Sequence, residues 1–181
     1  LSALRAAMSS KGQLLAHVNL VGGIEVLHLP DKTLVASTPK LPSPANAIDL
    51  SPDGKLILSG SRDGVARLWN AATGQLIQSS EGHSAAIASV AFSPDGKHFA
   101  TGGLDGTCRL WNSENGKSVL VIRDPEARFL RLSFSPDSKR LLTSGPGAKP
   151  VLWDCKNGQK LLSLEIDPEQ ITSARFFPHG S

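Results

Sequence analysis

Tyrosine is absent from this chain of 181 residues, methionine occurs once, cysteine twice, and aromatic residues make up only 5%. Single-stranded nucleic acids are held on exposed aromatic platforms along basic grooves. A chain without tyrosine, with Lys and Arg scattered and a net charge of only +3, offers neither. Two cysteines, Cys108 and Cys155, are too few for a disulfide framework or a thiolate metal cluster. No apolar run reaches the length of a membrane span, no signal-peptide layout opens the chain, and no glycosylation sequon occurs. These absences predict an intracellular, cytoplasmic protein with no membrane partner, and they count against a nucleic-acid partner. The chain opens at Leu1 and its methionine is Met8, which reads as one segment of a longer polypeptide.

What the chain has is repetition. Trp69, Trp111 and Trp153 stand 42 residues apart, inside RLWN, RLWN and VLWD. Upstream of each, LSPDGK at Leu50–Lys55 returns as FSPDGK at Phe92–Lys97 and FSPDSK at Phe134–Lys139. A fixed period of this size marks an array of one supersecondary unit, and it favours a binding surface over a catalytic cleft.

The unit reads as four short strands. In the clearest copy, Ile87–Phe92, His98–Thr101, Thr107–Trp111 and Ser118–Arg123 are separated by SPDGK, GGLDG and a turn holding Asn115-Gly116. Pro early and Asp-Gly late in a turn, and Asn-Gly in a hairpin, are residue choices set by backbone geometry. The result is an antiparallel meander with almost no helix. Several strands are apolar on both faces, as at Val65, Leu68 and Trp69, so each sheet must be covered on both sides by its neighbours.

Gly82-His83, FSPDGK, the turn Gly103–Gly106 and the closing RLWN or VLWD, recurring at constant spacing, resemble the WD-repeat β-propeller family. The resemblance implies an all-β chain of four-stranded antiparallel blades, here a partial ring of about four. Residues 41–80, 82–124 and 125–166 are clear repeats and residues 1–38 a degenerate one; residues 170–181 supply the first strand of a further repeat. In the degenerate copy, Gly23–His28 matches Gly64–Trp69 at a step of 41, with His28 in place of tryptophan. Rings of this family close with about seven or eight blades. The missing arc is therefore expected from the same polypeptide, another chain or a second copy.

His83, Thr101 and Asp105, near Trp111, invite comparison with a catalytic triad. The resemblance implies instead a buried network: aspartate accepts from imidazole, imidazole bonds the hydroxyl, and the hydroxyl meets the indole N–H. The other copies keep parts of it. Ser59, Asp63 and Trp69 recur with Leu41 replacing the histidine; Trp153 recurs with Thr143 or Ser144, but with Pro125 and Gly147 in the remaining places. Pro150, inside a third strand, predicts with Pro146 and Gly147 a distorted turn. No phosphate loop or metal-ligand spacing is present, and no cofactor is expected.

The resemblance further implies that one ring face, built from the loops before strand one and between strands two and three, engages proteins. Arg62, Leu104 and Pro146 precede the turn aspartate position, and Arg128 and Gln170 open the later first strands. Arg62, Leu104, Arg128 and Gln170 are the candidate contacts. The expected function is a non-catalytic scaffold that docks peptides or protein surfaces. The alternatives are a regulatory or targeting arc of a larger multidomain enzyme and, more weakly, a component of an RNA-processing assembly.

Overall fold

The computed structural model describes residues 6–124, 129–145, 148–166 and 174–176. Sixteen strands and no helix occur among them. They form four antiparallel sheets, each a meander in chain order. The first holds β1 Ala6–Met8, β2 Leu14–Val18, β3 Ile24–His28 and β4 Thr33–Ser37. The second holds β5 Ala45–Leu50, β6 Leu56–Ser61, β7 Ala66–Asn70 and β8 Leu76–Ser80. The third holds β9 Ile87–Phe92, β10 His98–Gly103, β11 Thr107–Asn112 and β12 Ser118–Arg123. The fourth holds β13 Arg131–Phe134, β14 Arg140–Gly145, β15 Ala148–Asp154 and β16 Lys160–Ser163.

The sheets stack in chain order, with the first strand of each beside the first strand of the next. Side chains alternate across a pleated sheet, so consecutive core residues serve opposite neighbours. Ile57 and Trp69 pack on the first sheet with Ala16, Ile24 and Val26. Leu58 and Leu68, one residue away, pack on the third sheet with Phe99 and Trp111. Ala100, Cys108 and Leu110 then pack on Phe129, Leu141 and Trp153 of the fourth. Each tryptophan is thus the main wedge into the blade before it. Burial of a side chain of this size contributes on the order of 2–3 kcal/mol.

Polar staples fix the seams. Asn46 Nδ2 donates to the Ile87 carbonyl at 3.0 Å, and Ser89 Oγ to that of Phe129 at 2.6 Å. The Phe92 N–H donates to Asp49 at 2.8 Å, and the Phe176 N–H to Ser133 Oγ at 3.1 Å. The first strands, with Ala174 and Arg175, surround a cavity of about 470 Å³. This is the axis of the arc, and the sheets do not close around it.

Two expectations change or sharpen. The step into the first blade is 42, not 41. Leu27 pairs with Leu15 as Trp69 pairs with Ile57, and His28 pairs with Leu14 as Asn70 pairs with Leu56. Gly22, Gly64 and Gly106 share the left-handed turn position with φ of 86°, 77° and 74°. Leu27, not His28, therefore fills the tryptophan place. In the fourth sheet the ladder slips between Thr143 and Gly145, opposite the stretch where Pro150 withholds a donor. Pro146 and Gly147 lie outside the described residues, as does Pro125.

Candidate docking rim and its supporting network

The third blade brings His83, Thr101, Asp105 and Trp111 together. Trp111 Nε1–H donates to Thr101 Oγ1 at 2.8 Å, and the same hydroxyl lies 2.7 Å from His83 Nε2. The hydroxyl accepts from the indole, so its own proton goes to Nε2. The proton on Nδ1 is then directed at Asp105, whose oxygens lie 3.0 and 3.1 Å away. Asp105 also accepts the Ser84 and Thr107 N–H groups, each at 3.0 Å, and the Thr107 hydroxyl at 2.8 Å. The imidazole is fully enclosed. Burial holds its pKa below the usual histidine range, with the nearby Arg109 cation acting in the same direction. The Thr107 hydroxyl, Ser84 N–H and His83 contacts outweigh burial at Asp105 and lower its carboxyl to about 2. A neutral imidazole thus sits on a charged carboxylate, with the hydroxyl of Thr101 turned into the blade. A nucleophile must face a substrate, and this one faces Trp111.

The second blade keeps half of this arrangement. Trp69 donates to Ser59 Oγ at 2.9 Å. With Leu41 where the histidine would stand, Asp63 turns to Arg67 at 2.8 Å instead. In the fourth blade Trp153 donates to Thr143 Oγ1 at 2.8 Å, which decides between Thr143 and Ser144. Ser144 Oγ accepts the Ala174 N–H at 3.1 Å. In the first blade His17 takes the hydroxyl place and approaches Glu25 at 3.4 Å.

The network anchors the loop before β9 to the turn between β10 and β11. Both belong to one edge of the arc. Arg62 and Leu104 stand exposed on the equivalent turns of the second and third blades, their N–H groups bonded to the Pro44 and Ala86 carbonyls at 3.1 and 2.8 Å. The corrected step adds Leu20, which the sequence reading missed. It occupies the same turn of the first blade and is fully exposed at 108%, beside Val21 at 69%. Only the register given by Gly22 reveals it. Arg128 and Gln170 lie outside the described residues.

Other chemistry is not assembled. Among the described residues no group of three or more His, Cys, Asp or Glu side chains is placed to hold a metal ion. Burial raises both thiols, Cys155 to about 12 and Cys108 further, so neither is a thiolate at neutral pH.

Comparison with known proteins agrees with this geometry. Residues 40–70 and 74–112 match the family described as WD domain, G-beta repeat. A stretch of 49 residues is 49% identical to autophagy-related protein 16 of Arabidopsis thaliana, covering 27% of this chain and 10% of that protein. A stretch of 42 residues is 48% identical to human WD repeat-containing protein 86, covering 23% of this chain and 11% of the relative. The matched stretch thus spans about a tenth of each relative's length. The recurring tryptophan, the four meanders and the matched repeats together show WD repeats within residues 40–112 of this chain, flanked by sheets of the same build.

Proposed function

We propose that this chain is a non-catalytic docking arc, in which the edge carrying Leu20, Arg62 and Leu104 takes up peptides or protein surfaces. WD-repeat domains are typically scaffolds that bring proteins together. The observation that carries the reading is the recurrence of one exposed side chain at the same turn of three successive blades, with large apolar residues at two of them. Exposed apolar groups beside arginine on rigid turns are the composition of a protein-binding patch. The bracing beneath Leu104, kept in part beneath Arg62, keeps those turns preorganised, which lowers the entropy lost on binding.

The reading includes completion of the ring. Sheet one leaves Leu15 and Leu27 partly exposed on the face that Trp69 and Trp111 fill in later blades. A further blade, from the same polypeptide or another chain, suits that face.

The test is affinity isolation from cell extract with the full-length polypeptide and its variants Leu20→Asp, Arg62→Glu and Leu104→Asp. Lys97→Glu, in a turn at the opposite edge, is the control. Proteins retained by the parent and by Lys97→Glu are lost from the three edge variants. Identical retained sets for all five proteins contradict the proposal.

A further inference from the structure

Two arginines occupy the same place in successive blades and meet opposite fates. Arg67 is held by Asp63, with Nη2 2.8 Å from Oδ2 and Nη1 3.3 Å from Oδ1. Arg109 stands 42 residues later, and Asp105 is its expected partner. That carboxylate has turned to His83, Ser84 and Thr107. Leu41 makes no such claim on Asp63 in the second blade, which is why the two arginines differ.

The guanidinium of Arg109 rests 6.0 Å above the Trp111 ring. It also lies against Gly82, where a Cβ would come within 2.8 Å of Nη1. Its Nε is buried without a hydrogen-bond acceptor, and the residue as a whole is half-buried. No carboxylate among the described residues is paired with it; Glu81, next to Gly82, is exposed and unpaired. A cation fixed by packing and lacking its anion is costly when partly desolvated. Arg62, exposed on the neighbouring turn, lies two residues from Gly64, where a Cβ would sit 2.6 Å from the His83 carbonyl oxygen.

We propose that Arg109 is the carboxylate-binding subsite of the docking edge, and that it takes an acidic side chain of a partner peptide while Arg62 steers it in. This rests on the docking reading above. The Glu or Asp of the partner supplies the anion that Asp105 gives to His83. The terminal guanidinium nitrogens donate to it, and leucines flanking it in the peptide meet the exposed Leu104. Arginine suits this task because its charge is permanent and its donors are fixed in a plane.

The probe is a fluorescein-labelled decapeptide of alternating Glu and Leu, with a Gln–Leu counterpart, titrated into the full-length polypeptide at low ionic strength. The Glu peptide binds, and salt weakens it. Arg109→Gln weakens it at least about tenfold, the equivalent of one charge-assisted hydrogen bond, and Arg109→Lys by less. The Arg109 Nε–Hε resonance of the parent protein shifts on addition of the Glu peptide, a readout that stands even where Arg109→Gln fails to fold. Absence of binding, equal binding of the two peptides, a folded Arg109→Gln that binds like the parent, or an unmoved resonance at saturation overturns the subsite. Such a result beside edge variants that still lose their proteins removes the carboxylate subsite alone. Beside edge variants that retain them, it removes the docking reading too.

Discussion

Asp49, on the first strand of the second blade, accepts the backbone N–H of Phe92, on the first strand of the third, at 2.8 Å. It also accepts the N–H of Leu50 at 2.9 Å. The bond closes the seam between two blades beside the axial cavity. Burial dominates and raises the carboxyl to about 6 against these two donors and the nearby Arg175 cation. The folded-state pKa therefore exceeds the unfolded value. The folded protein binds the extra proton between about pH 4 and 6, and stability rises as pH falls through that window. Asp49→Asn keeps an acceptor for Phe92 and removes the buried charge. It is expected to stabilise by about 1–2 kcal/mol at pH 7.5 and to abolish this contribution on acidification. Thermal melts of both proteins from pH 4.5 to 7.5 check it, and a variant less stable than the parent at pH 7.5 contradicts it.

The network of the third blade carries the opposite pH sign. His83 has a folded pKa below its unfolded value, so the unfolded chain takes the proton first. The stability it contributes is present above about pH 6.5 and is lost as pH falls through the unfolded value. The His83 imidazole resonances are expected to show a neutral ring with its proton on Nδ1 at pH 6.5. A ring protonated at that pH contradicts the assignment.

Asp105→Ala removes acceptors from His83, Ser84 and Thr107 at once. The expected cost is about 2–4 kcal/mol, because buried donors are left without partners. Asp63→Ala removes an acceptor from Arg67 and from Val65 N–H at a half-exposed turn, and is expected to cost about 1 kcal/mol. Denaturant unfolding of the two variants measures the difference. Equal effects, or an unchanged midpoint for Asp105→Ala, refute the bracing role.

How much of this was legible in the sequence depends on how far apart the cooperating residues lie. The tryptophan spacing and the Asp-Gly and Asn-Gly turns repeat visibly, so the meanders and their extents could be read directly. His83, Thr101 and Asp105 share one repeat and were legible as a group. Asp49 was not: within Ala45–Leu50 it looks like any polar residue of an alternating strand, and its partner belongs to the next blade. Leu20 was hidden by the absence of tryptophan in the first blade. The register slipped by one residue there, and in a strand such a slip exchanges the two faces. The vacancy at Arg109 required knowing that His83 takes its aspartate, a competition that sequence spacing does not express.

Gly102 marks where one blade admits the backbone of the next. A Cβ there would lie 2.0 Å from the Phe129 carbonyl oxygen, the same oxygen that accepts from Ser89. Gly60, the counterpart one blade earlier, faces Ile87 Cγ2 at 2.4 Å. Side-chain atoms can yield by changing rotamer and a carbonyl in a seam cannot. Gly102→Ala is therefore expected to cost about 3 kcal/mol and Gly60→Ala about 1–2 kcal/mol. Unfolding midpoints decide it, and the reverse order contradicts the seam geometry.

Each tryptophan is wedged into the blade that precedes it, and the stacking of the four sheets depends on that wedge. Nuclear Overhauser contacts from the three indoles, with methyl-labelled Ile, Leu, Val and Ala, test this directly. The Trp69 indole should contact Val26, Trp111 should contact Leu58 and Leu68, and Trp153 should contact Ala100 and Leu110. Indoles that see only residues of their own repeat, or solvent, contradict the stacked blades and the docking edge built on them.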